Sequence, residues 1–210
     1  KTGRTPKVIT ASRDGRYLFV SNWHSGNVSV ISIQGDDPAS WEKVADIPGG
    51  RIPRGMAVSE DGALLYIADM GGSSIKVVDI DTLQAVSAIP VDPNPRHLVV
   101  DGKWMYVSIN SGAKILKVDL EQGRVVDSVD TDRTPRTIQL SPDGALVFVT
   151  CYYPDCVQAF TADGLDPAGR WDSAERPVGI DVYQEGNLLE LWVANYRSGT
   201  VKVITLELSP

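Results

Sequence analysis

Pro135-Arg136-Thr137-Ile138-Gln139-Leu140-Ser141-Pro142-Asp143-Gly144-Ala145-Leu146-Val147-Phe148-Val149-Thr150 decides the fold, because its pattern returns four more times in the chain. A proline opens the unit, a short apolar stretch follows, an acidic-Gly pair turns the chain, and an apolar-aromatic run comes back. The opening prolines are Pro6, Pro53, Pro95, Pro135 and Pro177, spaced by 47, 42, 40 and 42 residues. The turns are Asp14-Gly15, Asp61-Gly62, Asp101-Gly102, Asp143-Gly144 and, more loosely, Glu185-Gly186. Asp-Gly supplies the positive φ that a tight hairpin needs. The returning runs include Leu18-Phe19-Val20-Ser21-Asn22, Leu65-Tyr66-Ile67-Ala68-Asp69 and Leu191-Trp192-Val193-Ala194-Asn195. Third strands such as Ile75–Asp79 and Val201–Ile204 follow, and a more polar fourth strand, as in Gln84–Val91, closes most units.

Nothing in the unit has helical period, and strand signals recur every ten residues or so. Four short antiparallel strands at a period of 40–45 residues describe a propeller blade. An open β-sandwich has no reason to repeat its sequence five times. The expectation is an all-β chain, one β-propeller domain over residues 1–210. Its four-stranded blades fall at about 6–50, 51–92, 93–132, 133–174 and 175–210.

The units opened by Pro53 and Pro135 resemble the repeat of YVTN-type propellers, with the NHL-type repeat as second match, and the likeness covers nearly the whole chain. That resemblance implies seven blades, which would need roughly 290 residues at this period. Five units are present, and the fifth runs out after its third strand at Leu206-Glu207-Leu208-Ser209-Pro210. The reading favoured is therefore a piece of a larger ring over a closed five-bladed one.

The net charge of -7 argues against broad affinity for nucleic acid or an anionic membrane. No apolar run approaches the roughly 20 residues of a membrane-spanning helix. The polar opening Lys1–Pro6 carries no signal-peptide pattern.

Strand direction sorts the loops onto two ends. The residues just after the prolines, Lys7, Arg54, Arg96 and Arg136, gather at one mouth of the inner strands, with Val178 in the fifth unit. The loops at the same end bring Asn22, Trp23, His24, Asp69, Met70, Asn110, Tyr152, Tyr153, Asn195, Tyr196 and Arg197. Clustered cations with amides and aromatics suit a protein partner or a small anionic or polar ligand. The competing reading makes each arginine a strut, paired with a carboxylate or carbonyl of the neighbouring blade. Recurrence once per repeat favours struts. Trp104, Trp171 and Trp192 fall on strands and read as inter-blade packing; Trp23 lies in a loop and is free to stack on a ligand.

Chemistry is sparse elsewhere. His24 and His97 have no carboxylate at ligand spacing, and Asp36-Asp37 and Asp130-Thr131-Asp132 lack the spaced oxygens of a calcium loop. No nucleophile or phosphate-cradling motif is present, Met70–Ser74 reads as a hairpin loop, and no cofactor or metal is expected. Cys151 and Cys156 bracket a hairpin and are a candidate disulfide in an oxidising compartment. The resemblance implies a non-enzymatic binding or scaffold module in the periplasm or at the cell surface. The alternatives are a propeller lactonase or hydrolase, or an accessory domain of a larger redox or sugar-binding protein.

Overall fold

The computed structural model describes residues 1–207. Leu208, Ser209 and Pro210, read above as the end of the fifth unit, lie outside the described residues. Five antiparallel sheets follow one another along the chain, each a simple meander. The first holds β1 (Pro6–Ala11), β2 (Tyr17–Asn22), β3 (Asn27–Ser32) and β4 (Glu42–Pro48). The second holds β5 (Pro53–Val58), β6 (Leu64–Asp69), β7 (Ser74–Asp79) and β8 (Gln84–Pro90). The third holds β9 (Pro95–Asp101), β10 (Trp104–Ile109), β11 (Lys114–Asp119) and β12 (Arg124–Asp130). The fourth holds β13 (Pro135–Leu140), β14 (Leu146–Cys151), β15 (Cys156–Thr161) and β16 (Pro167–Asp172). The fifth has three strands, β17 (Pro177–Glu185), β18 (Leu188–Asn195) and β19 (Thr200–Glu207). A single 3-10 turn, Pro38–Ser40, is the only helical element among the described residues, capped by the Asp37 side chain on the Ala39 amide.

The acidic-Gly pairs turn the first strand of each sheet into the second, as read. Gly15, Gly62, Gly102, Gly144 and Gly186 all have positive φ, between 53° and 77°. Where the pair is Asp14, Asp61 or Asp143, its carboxylate accepts from a serine hydroxyl two residues earlier and from the amide two residues later. The turn is thus closed by its own side chain.

Strand alternation gives each sheet two apolar faces, and sheet-on-sheet contact makes four successive cores. Phe19, Val28 and Val30 pack on Met56, Leu65 and Ile67. Tyr66, Ile75 and Val77 pack on Leu98, Met105 and Val107. Tyr106 and Ile115 pack on Ile138, Val147 and Val149, and Phe148, Val157 and Ala159 on Ile180, Leu191 and Val193. The first strands line up in chain order, β1 on β5, β5 on β9, β9 on β13, β13 on β17. Among the described residues β17 makes no comparable packing with β1.

One packing expectation is corrected. Trp192 occupies the register position of Phe19, Tyr66, Tyr106 and Phe148, yet it is 47% exposed, because no sheet covers that face of β18. Tyr106 is buried as expected, and its hydroxyl donates to the Ala162 carbonyl at 2.7 Å. Tyr106→Ala should therefore cost about 3–5 kcal/mol, while Trp192→Ala at the same repeat position should cost under about 1 kcal/mol. Thermal or denaturant melts of the two variants check the register, and equal losses would refute it.

Candidate functional site

Every first strand begins with a proline, which has no amide hydrogen to give the ladder. At each, the pairing register slips just after the proline. Pro6 opposes Asn22 and Val8 opposes Ser21, so Lys7 is left out of the ladder. The same slip leaves Arg54 and Gly55 out of β5, Arg96 out of β9, Arg136 and Thr137 out of β13, and Val178 out of β17. A bulged residue is re-aimed away from the regular pleat. Thr5, Asn94, Thr134 and Arg176, each just before its proline, sit at positive φ, between 58° and 70°. Such strain in residues other than glycine gathers where a side chain must be held in a set direction.

A second recurring bond brings the other loops to the same end. The amides of Trp23, Met70, Asn110, Tyr152 and Tyr196 donate to the carbonyls of Thr5, Ile52, Asn94, Thr134 and Arg176 respectively, at 2.8–3.1 Å. The residue after each second strand is thereby pinned beside the start of the first.

What gathers there is cationic and aromatic. The Lys7 ammonium lies 5.0 Å from the Trp23 ring centre and the Arg54 guanidinium 5.6 Å from the same ring. Arg136 stacks on Tyr152 at 3.7 Å. Arg176 stacks on Tyr153 at 3.8 Å and reaches Tyr152 at 5.1 Å. Arg96 sits between them, 7% exposed, with only the Met70 sulfur as side-chain partner, at 3.6 Å. Aromatic faces attract cations but neutralise nothing.

The strut reading fails on this geometry. Among the described residues no ion pair involves Arg54, Arg96 or Arg136. The Nε atoms of Arg54 and Arg136 are buried without any hydrogen-bond partner. The strut role belongs to their backbones: the Ser21 hydroxyl donates to the Arg54 carbonyl at 2.8 Å, and Ser108 to the Arg136 carbonyl at 2.7 Å, each from the preceding sheet. The guanidiniums are left over from the architecture.

Burial, reinforced by Arg136 and Arg54, pushes Arg96 down to about 9. Burial first, then Arg136, likewise lowers Arg54; burial lowers Arg136. All three stay protonated at neutral pH, so these shifts express repulsion and lost hydration that an anion would relieve. His97 joins the cluster unforeseen. Burial, then Arg54 and Arg96, pushes it down to about 4, and its Nδ1 has no partner. Its imidazole is neutral at pH 7 and also lines a cleft of about 460 Å³ between β1, β5, β9 and β13.

Several expected site residues are fasteners. Asn22 is buried and donates to Asn27 and Ser29; Asp69 accepts the amides of Arg51 and Ile52; Asn195 accepts from Ser173 and donates to the Val193 carbonyl. His24 stacks on Trp23 and bonds Thr5. Tyr196 is 75% exposed and Arg197 pairs with Glu175, so neither joins the stacked cluster although both backbones are held beside the start of β17. Arg176 precedes its proline where the other arginines follow theirs, and its stacking brings it into the site.

Cys151 and Cys156 are cross-strand partners and free thiols in this structure. Cys151 donates to Gln158 and Cys156 to Asp132, and the hydrogen bond with Cys156 together with burial pushes the Cys151 thiol up. Asp132 is also paired with Arg170 at 3.0 Å. No group of His, Cys, Asp or Glu able to hold a metal ion occurs among the described residues.

No family model matches the sequence, and no curated protein matches it. Solved structures match the fold. Hydrazine synthase of Kuenenia stuttgartiensis aligns at 22% identity and TM-score 0.76 over 98% of this chain and 66% of its own. A putative 6-phosphogluconolactonase of Bacteroides uniformis aligns at 18% and 0.76 over 96% and 70%. A periplasmic gluconolactonase of Pseudomonas aeruginosa aligns at 21% and 0.75 over 99% and 72%. The chain thus spans about two thirds to three quarters of the structures it resembles, and its fold is propeller-like.

Two outcomes are expected. His97 has a folded pKa below its unfolded value, so it destabilises the fold as pH falls from about 6.5 toward 4 and has no effect above that window. Lowering the pH from 7 to 5 should cost about 2 kcal/mol, and His97→Gln should remove that part of the pH dependence, read by melts at both values. Cys151, held as a thiol, should resist alkylation at pH 8 until the fold is melted, which peptide mass spectrometry will show.

Proposed function

We propose that the mouth formed by Arg54, Arg96, Arg136 and Arg176 binds a small anionic ligand, a carboxylate or phosphate ester bearing hydroxyl groups. One observation carries the reading: the guanidiniums of Arg54, Arg96 and Arg136 share one partly buried place with no acid paired to them among the described residues. An unfilled cluster of this kind costs the fold free energy, whereas a carboxylate or phosphate at the mouth would accept from guanidinium N–H groups in charge-assisted hydrogen bonds. The neighbouring Trp23, Tyr152 and Tyr153 hold the guanidiniums in place by stacking and give the ligand a rigid floor. In this reading the chain is a repeat module of YVTN type, and the binding face is its functional part.

A second reading, hydrolysis of a sugar-acid lactone, is supported by the neighbours described as gluconolactonases and 6-phosphogluconolactonases. Here the arginines would hold the phosphate of a 6-phosphogluconolactone or the hydroxyl groups of an unphosphorylated lactone. His97, whose imidazole is neutral, would take a proton from water as it adds to the ring carbonyl and return that proton to the ring oxygen, which leaves as the product hydroxyl. The neighbour described as periplasmic supports an extracytoplasmic location, as does the repeat resemblance.

Replacing Arg54 and Arg136 together by Gln tests the site. Each lost charged hydrogen bond is worth about 1.5–3 kcal/mol, so affinity for gluconate or a sugar phosphate should fall about a hundredfold or more in calorimetric titration. The dependence of affinity on salt should flatten as well. The melting temperature of the unliganded double variant should hold or rise, because two unpaired buried cations are gone; a clear fall would restore the strut reading. A pH-stat assay with gluconolactone and its 6-phosphate separates the two readings. Turnover lost in His97→Gln with ligand affinity retained supports hydrolysis, and no turnover with tight binding supports the binding module.

A further inference from the structure

The second, third and fourth sheets share one register, so the interfaces between them can be compared residue by residue. Leu64 and Trp104 open β6 and β10 and pair with Asp79 and Asp119 respectively. Val77 opposes Tyr66 as Lys117 opposes Tyr106. Leu83, Gly123 and Leu165 end the turns that follow the third strands, all at positive φ, between 54° and 62°.

Between the third and fourth sheets, these places carry Trp104, Lys117 and Leu165. Lys117 is 5% exposed, and its ammonium lies 4.4 Å from the Trp104 ring centre and 5.9 Å from that of Tyr106. It donates to the Asp163 carbonyl at 2.6 Å. Between the second and third sheets the same places carry Leu64, Val77 and Gly123, the smaller residue each time. A Cβ on Gly123 would meet nothing within 4 Å. The difference leaves a pocket of about 500 Å³ whose walls include Leu64, Tyr66 and Leu120.

Tyr66 is 5% exposed and lines this pocket, and its hydroxyl, unlike that of Tyr106, has no hydrogen-bond partner among the described residues. The rim holds Glu60, Asp61 and Glu121 against one cation, Lys103. Lys103 is engaged by Glu121 at 3.8 Å and by the Trp104 ring at 4.7 Å. Asp61 accepts from the Ser59 hydroxyl and the Ala63 amide. Arg13 faces the same turn from the first sheet, where its Nε donates to the Ser59 carbonyl. Glu60 leans toward Gly102 across the gap and makes no ion pair among the described residues.

We infer that this pocket binds a small aliphatic primary ammonium, a straight chain of about four or five carbons, the length of a lysine stem. The next interface identifies the occupant, because there the protein itself lays an alkylammonium, Lys117, against the equivalent tyrosine. A free amine would rest its chain on Leu64 and Leu120 and donate to the Tyr66 hydroxyl oxygen, with Glu60 facing its charge. A carboxylate or phosphate would meet three acids here. The pocket lies at the Asp-Gly hairpin end, opposite the arginine mouth, and the inference is independent of the ligand reading there.

The test titrates n-pentylamine, pentanol and pentanoate against the isotope-labelled chain at pH 7, read by the amide resonances of Gly102, Lys103 and Glu121. Expected is a saturable shift with pentylamine, at an affinity about tenfold or more above that for pentanol, and none with pentanoate. Val77→Lys gives this interface the lysine of the next one, and should abolish pentylamine binding while the melting temperature holds or rises. Glu60→Gln, at an exposed position, should weaken pentylamine severalfold and leave pentanol unchanged. Gly123→Leu is a second filling variant, at a backbone conformation that Leu83 and Leu165 already adopt, and should weaken pentylamine likewise. Equal affinity for pentylamine and pentanol, or no saturable shift, overturns the proposal. So do shifts that persist unchanged in both filling variants, which would mark amine on exposed carboxylates only.

Discussion

Everything at the mouth depends on a hydrogen bond that cannot form. A proline at the start of each first strand has no amide to give, and the ladder answers by slipping one or two residues out of register. The residue that falls out of the ladder points where the pleat would not have sent it. Repeated around five sheets, the slip converts a sequence position into a place in space. The amide-to-carbonyl bond from each following loop then seals that place from one side. A local deficiency of the imino acid thus organises the cationic cluster as surely as the four apolar cores organise the sheets.

The same position plays two parts that are chemically separate. At residues 54 and 136 its backbone carbonyl receives a serine hydroxyl from the preceding sheet, which is architecture. Its side chain receives nothing from the protein, and stacks on aromatic rings that cannot cancel its charge. A structure that only needed cohesion would have placed a carboxylate within reach, as it does for Arg16 with Asp14 and Asp81 and for Arg170 with Asp132. The contrast between those exposed, paired arginines and the buried, unpaired ones supports a ligand in the second case.

Much of this was legible in the sequence because it repeats. The strand count, the Asp-Gly hairpins and the gathering of Lys7, Arg54, Arg96 and Arg136 on one end follow from period and strand direction alone. What was not legible depended on contacts that no period encodes. Arg176 lies on the other side of its proline and enters by stacking on Tyr152 and Tyr153 and by donating to the Tyr152 carbonyl. His97 follows an arginine on a strand and looks like any strand residue until two guanidiniums and a free Nδ1 surround it. Asn22, Asp69 and Asn195 carry the right chemistry for a site but spend it on loop amides and carbonyls. Trp192 has the sequence of a core aromatic but is 47% exposed, since among the described residues no sheet packs on its face.

The division of labour at the bulge has a practical side. Because cohesion there runs through the main chain, the side chain can be exchanged without touching the scaffold, and Val178 is already such an exchange. Positions 54, 136 and 178, whose carbonyls each accept a hydroxyl from the preceding sheet, therefore behave as interchangeable sockets on a common frame. A designer could plug acids, amides or aromatics into them in combination and retune what the mouth recognises while the blades stay as they are.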